Sequence, residues 1–164
     1  MRPALLVIDV QNYVLTDFPG YAESVAKRAG VMNGAIAVFR RKGLPIVFVY
    51  HEDVNDGPRP GSKGFEFSEL IDVRDTDTKL VKHYPNGFNK TDLGDILLEK
   101  GCDTVFIVGL SAVGCALATY HGAIDRDLGP YFVQGGVAAD TEEHVRSAED
   151  ICRTMTVEEL EGKL

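Results

Sequence analysis

The sequence predicts an α/β fold built on a central parallel sheet of five to six strands, and three observations predict it. Short runs rich in β-branched and aromatic residues alternate along the chain with segments of helical periodicity. The first three runs, ALLVIDV (4–10), PIVFVY (45–50) and TVFIVGL (104–110), are apolar almost throughout and do not alternate with polar residues. Strands buried on both faces of a parallel sheet have this pattern, and strand, helix, strand order calls for right-handed crossovers.

Taken in order, ALLVIDV is the first strand, and Ala22 to Lys42 is the first clear helix. Its Val25, Ala29, Met32, Ala35, Ile36 and Phe39 recur at three- and four-residue spacing, with Gly43 as the stop. PIVFVY follows as a strand. His51 to Thr78 is the one long irregular connection, with Gly57, Pro58, Pro60, Gly61 and Gly64 near its start. A loop of that length covers a site or mediates contacts. Its Asp72 to Asp77 end, RDTD included, is expected as a solvated turn. TKLVKH (78–83) is a weaker strand, and Lys90 to Lys100 a helix carrying Leu93, Ile96 and Leu97, stopped by Gly101. After TVFIVGL comes the helix Val113 to Arg126, with Leu117, Tyr120 and Ile124 on one face. YFVQGG (131–136) is the next strand. Thr141 is the expected N-cap of a helix running to about Cys152, with His144 packing on that helix, and RTMTV (153–157) reads as a last edge strand.

With 164 residues, 45% hydrophobic and 26% charged, the chain suits one domain spanning residues 1–164. Its 17 Lys and Arg against 25 Asp and Glu give a net charge of -8. That is the wrong sign for a nucleic-acid or anionic-membrane partner, leaving a small molecule as the expected one. MRPALLVIDV reaches a charge at Asp9 before a signal-peptide core is complete, so a cytoplasmic protein is expected. No apolar stretch approaches the roughly 18 residues of a membrane span. Cys102, Cys115 and Cys152 are odd in number and lack CxxC spacing, which indicates neither a disulfide framework nor a zinc site. No metal and no cofactor is expected.

In open α/β sheets ligands bind beyond the carboxyl ends of the strands. Asp9 closes the first strand, Lys82 closes TKLVKH, and Cys115 follows the strand ending at Gly109 or Leu110. Brought together, a carboxylate, an ammonium and a thiol form a nucleophilic device. The aspartate takes the thiol proton, while the lysine and the helix N-terminus stabilise the thiolate. Asn12, Tyr13, Phe18 and Phe88 are candidates for a wall against a planar substrate, though Phe88 also suits a core position. His51 ends its strand as a pocket or a structural residue, while Cys102 and Cys152 read as packing.

LLVIDVQNYV, KHYPNGF and VGLSAVGCALATYHGA, in that order, resemble the cysteine hydrolases of the isochorismatase-like superfamily, which includes nicotinamidases and N-carbamoylsarcosine amidases. The similarity runs from Ala4 to about Leu160 and takes in GGVAADTEEHV. It implies a three-layer α-β-α sandwich of Rossmann-like topology, with Asp9 as base, Lys82 as electrostatic partner and Cys115 as nucleophile. It further implies a cis peptide between Leu110 and Ser111 whose backbone N–H groups, with that of Cys115, form an oxyanion hole. The implied reaction is hydrolysis of a small amide or carbamoyl C–N bond through a thioester, in a homo-oligomer (dimer or tetramer).

The chain departs from the family pattern in three places. Ala112, Val113 and Gly114 stand where Thr-Asp-x is usual, Gly135 and Gly136 replace Asp-Ala, and Val49 and Tyr50 precede His51 where nicotinamidases place a metal-binding Asp-x-His. A non-catalytic ligand-binding member of the same fold therefore stands as the alternative, with isochorismatase-type vinyl-ether hydrolysis behind it because the true isochorismatases lack the cysteine.

Overall fold

A computed structural model describes residues 1–55 and 57–164. Six strands form one sheet in the order β3-β2-β1-β4-β5-β6, every neighbouring pair parallel. β1 (Pro3–Ile8) is central and buried at all six positions, between β2 (Ile46–His51) and β4 (Thr104–Leu110). β3 (Thr78–Lys82) lies outside β2, while β5 (Gly129–Ala138) and the two-residue β6 (Thr154–Met155) extend the other edge. The chain builds outward from β1 through β2 to β3, then returns to build β4, β5 and β6 on the opposite side. The carboxyl ends of β1 and β4 therefore flank the point where strand order reverses, which is where such sheets open a crevice.

Helices cover both faces. Pleating sends Leu5 and Val7 to one side, where they pack with Val25, Met32, Ile36 and Phe39 of α2 (Tyr21–Arg41). Ala4, Leu6 and Ile8 point the other way, into a core shared with α3 (Leu93–Glu99), α4 (Cys115–Ile124) and α5 (Glu142–Ile151). α2 ends where expected: Gly43 takes φ +64°, letting Leu44 N–H donate to Phe39 O at 2.9 Å. Thr141 is the N-cap of α5, its hydroxyl accepting from His144 N–H at 3.2 Å.

Two helices have no counterpart in the sequence reading, α1 (Asn12–Asp17) and α6 (Val157–Lys163). At six and seven residues they are too short for an apolar period to emerge. α6 did carry a readable signal, since Thr156 and Glu159 form a reciprocal capping box.

Among its described residues, the long connection between β2 and β3 has no regular element beyond a single bridge from Phe67 to Gln11. It is nevertheless anchored in the core, because Phe65 and Phe67 pack on Tyr50 with ring centroids 5.1 and 4.5 Å away. Its acidic end is a turn with Asp72, Arg74, Asp75 and Thr76 exposed, as expected, but it is tied to the body of the protein. Asp72 and Asp77 both bind the guanidinium of Arg40 on α2, which satisfies a cation that is only 14% exposed. His144 also differs from expectation: it is exposed and pairs with Asp140 at 2.6 Å rather than packing on α5. Among the described residues no helix is long and apolar enough to cross a membrane.

Candidate active site

Asp9 is the first residue beyond β1 and adopts φ +55°, a left-handed conformation that aspartate tolerates better than most residues. Its N–H still donates to Val49 O at 2.9 Å, so the chain turns at the sheet's edge without leaving it. The side chain is 6% exposed, and Oδ2 accepts from Lys82 Nζ at 2.8 Å. Strand alternation explains the lysine: Leu80 and Lys82 face the same side of β3, inward, and Lys82 is fully buried. Its Nζ also lies 3.2 Å from His51 Nδ1. An ammonium only donates, so Nδ1 is assigned as the acceptor and the imidazole proton to Nε2.

Cys115 is the first residue of α4. The turn that brings it to β1 requires glycine at position 109, where φ is +111° and a Cβ would stand 2.2 Å from Ile8 O. The Leu110–Ser111 peptide is cis. The Ala112 amide donates to Ala138 O at 2.8 Å, and the amides of Gly114 and Ala116 both donate to Ser111 O, at 2.9 and 3.1 Å. The amides of Ser111 and Cys115 have no hydrogen-bond partner among the described residues. Two donors are thus left at the mouth of the helix that carries the thiol.

Burial dominates the electrostatics. It raises Asp9 above the ordinary carboxylate range, and the Lys82 contact only partly offsets it. The Cys115 thiol is pushed up to about 12, first by burial and then by the Asp9 charge, with Lys82 pulling the other way. His51 is lowered by burial and then by Lys82, which favours the neutral ring. These shifts favour the protonated thiol over the thiolate. The Lys82 ammonium also reaches the thiol and pulls it down, but burial and the Asp9 charge outweigh that pull. Asp9 Oδ1 is buried with no hydrogen-bond partner among the described residues, which makes it the available acceptor for a proton. Moving the thiol proton to Asp9 exchanges one anion for another and leaves the net charge of the buried cluster unchanged.

Beside this cluster lies a cavity of about 460 Å³ lined by Tyr13 and Phe18 of α1, by His51, and by Asp17, Asp53 and Pro58 among others. Burial raises the Tyr13 phenol, followed by the charges of Asp9 and Cys115, so Tyr13 stands between cavity and cluster. His51 is the second bridge, touching Lys82 on one side and lining the cavity on the other. Tyr13, Phe18 and His51 thus sit where a substrate wall was expected. Asn12 and Phe88 do not. Asn12 Nδ2 donates to Lys63 O at 2.9 Å, pinning the long loop. Phe88 is only 2% exposed, on the core side away from the cavity, with the Arg126 guanidinium 4.9 Å over its ring.

Gln11, Asp17 and Asp53 escaped the sequence reading. Gln11 is fully buried, and its amide holds both sides of the His51 backbone: Oε1 accepts from His51 N–H at 2.7 Å and Nε2 donates to His51 O at 3.1 Å. Nε2 also donates to Phe65 O at 2.9 Å, so one side chain ties β1, β2 and the long loop together. An amide directly after the Asp9-Val10 strand end was the available signal, because a buried amide demands partners on several sides. Among the described residues no cluster of three or more His, Cys, Asp or Glu is arranged to hold a metal ion.

A parallel α/β sheet that gathers a thiol, a carboxylate and an ammonium at its point of reversal, beside a cavity of small-molecule size, defines a pocket enzyme. The chain belongs to the isochorismatase family, whose Isochorismatase domain matches residues 3–159. It is 30% identical to the isochorismatase family protein YddQ of Bacillus subtilis, over 86% of this chain and 80% of the relative. It is 28% identical to the maleamate amidohydrolase of Pseudomonas putida, over 76% of this chain and 67% of that protein. Among solved structures, the N-carbamoylsarcosine amidase of Thermoplasma acidophilum superposes with a TM-score of 0.84 at 29% identity, covering 97% of this chain and 98% of the other. The chain is accordingly a hydrolase of the isochorismatase family that acts on a small molecule.

Proposed function

We propose that the protein is a cysteine-dependent amidohydrolase that cleaves the C–N bond of a small non-peptide amide or carbamoyl compound. The observation that carries the reading is the convergence of Asp9, Lys82 and Cys115, with the Asp9–Lys82 contact of 2.8 Å deep in the fold and the thiol within reach of the same carboxylate. Relatives named as amidohydrolase and amidase support it.

Asp9 takes the thiol proton as Cys115 Sγ attacks the carbonyl carbon. The oxyanion forms against the free amides of Ser111 and Cys115. Collapse breaks the C–N bond, and Asp9 returns its proton to the departing ammonia or amine. Water then gives a proton to Asp9 and attacks the thioester carbonyl; the acid leaves and the proton goes back to sulfur. Lys82 keeps the Asp9 side chain in place and limits the charge that builds up in a buried site.

Comparing ammonia release by wild type and Cys115→Ala over a panel of small amides tests the reading, with mass spectrometry watching for an acyl adduct on Cys115. Turnover that survives in the variant would sink it. The competing reading, a ligand-binding member that turns nothing over, is favoured by the thiol's rise to about 12, and it predicts no adduct with any amide. The same proposal takes residues 1–164 as one catalytic domain acting in the cytoplasm as a homo-oligomer. Apolar side chains left exposed on the outer helices, Leu98, Ile124 and Ile151, support assembly, and light scattering that finds only monomer would contradict it.

A further inference from the structure

We infer that the cavity selects amides carrying a cationic group, an ammonium or amidinium, and rejects those carrying a carboxylate; the inference rests on the amidohydrolase reading only for its chemistry. The carboxylic side chains lining the cavity are Asp17 and Asp53, and no Lys or Arg lines it among the described residues. They come from different elements, Asp17 from the end of α1 and Asp53 from just beyond β2. Both act on Tyr13, where each raises the phenol, so they converge on the residue that separates the cavity from Asp9 and Cys115.

Lys82 lies behind His51 and is matched by Asp9, while His51 itself is held toward its neutral form. In the loop over the cavity, Arg59 donates to Val54 O at 3.0 Å and, with Lys63, is not among the lining residues. Two aromatic rings complete the wall: Tyr13 and Phe18 meet edge to face at 6.5 Å, and half-exposed Phe18 stands at the surface. Aromatic faces and carboxylates both attract a cation, and neither has anything to offer an anion. The chain's net charge of -8 adds a long-range field of the same sign.

Three methanethiosulfonate reagents that share one reactive group but carry a trimethylammonium, a neutral methyl or a sulfonate test the field without a known substrate. Modification of Cys115, mapped by mass spectrometry, is expected to run about tenfold faster with the cation than with the neutral reagent, and slowest with the anion. Asp17→Asn combined with Asp53→Asn should bring the cation-to-anion ratio down by about tenfold or more. Asp150→Asn with Glu158→Gln, the same charge change at exposed positions outside the cavity, should leave that ratio nearly as it was.

A second readout uses ammonia release from β-alaninamide, propionamide and succinamate, with kcat/KM falling in that order. Equal rates for the three reagents, a faster anion, or a ratio untouched by the cavity variant would overturn the inference. Propionamide and succinamate turned over as well as β-alaninamide would overturn it while leaving the amidohydrolase reading intact. No turnover of any amide alongside a clear cation preference at Cys115 would do the reverse. No reaction of any reagent at Cys115 would overturn both.

Discussion

Two ion pairs, one at the carboxyl edge of the sheet and one on its flank, have nearly the same length and opposite character. Lys82 Nζ meets Asp9 Oδ2 at 2.8 Å, with the side chains 0% and 6% exposed. Arg28 Nη2 meets Glu142 Oε2 at 2.7 Å, but Glu142 is 52% exposed and Lys27 adds a second cation at 3.2 Å. Burial pushes the Asp9 carboxyl up in spite of its partner, whereas hydrogen bonds from Arg28 and Lys27 pull Glu142 down to about 2. Distance is equal; solvation differs. The flank pair can use water to settle its charges, while the buried pair exists only as a unit and leaves its carboxylate within reach of the Cys115 thiol. A strained balance of that kind is what proton-transfer chemistry needs.

The sharpest test of this contrast is chemical. Cys115→Ala should abolish turnover, and Asp9→Asn should lower kcat by about 10²- to 10⁴-fold, the range for loss of a positioned base. Glu142→Gln should leave turnover near wild type; an equal loss there would erase the distinction between the two pairs. Next in size is the response of Cys115 to pH. With the thiol raised to about 12, its iodoacetamide labelling should climb about tenfold per pH unit from pH 7 to 10 without a plateau. A plateau below pH 8 would mean a thiolate held by Lys82 after all.

Stability separates the pairs next. Lys82→Met leaves Asp9 buried and unpaired and should cost about 3–5 kcal/mol in urea unfolding, part of it recovered when Asp9→Asn is added. Full stability in the single variant would show the pair to be well solvated. The smallest effect belongs to the flank. Because the folded pKa of Glu142 is depressed from 4.5 to about 2, its contribution is present above pH 4.5 and is lost as pH falls toward 2. Asp9 has the opposite sign, since a raised pKa makes its charge a penalty that grows as pH rises above 3.8. Acid titration of Tm should therefore flatten in Glu142→Gln over that window, and an unchanged slope would count against the assignment.

How far the sequence carried depended on whether a residue's role was local. Uniform apolar runs marked β1, β2 and β4, and periodic apolar positions marked α2, because burial on two faces or one stripe leaves its trace in adjacent residues. Asp9, Lys82 and Cys115 were readable as strand-end chemistry, and their motifs matched a known family. Phe88 was left open between wall and core, because an aromatic beside a glycine looks the same in either place; it is core, with Arg126 over its ring. Gln11 was overlooked because its role depends on His51 and Phe65, 40 and 54 residues away. The Asp72–Asp77 turn is solvated as expected, but its anchoring to Arg40 was not legible because that partner lies on another element.

By itself the sequence determined the fold class and the order of its strands and longer helices, and it offered Asp9, Lys82 and Cys115 as candidates, since each follows from short-range pattern or from a motif. Tertiary structure alone decided the state of that cluster. Whether a lysine beside an aspartate activates a thiol or merely neutralises the aspartate depends on burial and on which atoms meet. Those are set by strands β1, β3 and β4, which are remote in the chain and adjacent only in the folded sheet. Lys82 pairs with Asp9 at 2.8 Å, and burial together with the Asp9 charge raises the thiol in spite of Lys82, which favours its protonated form.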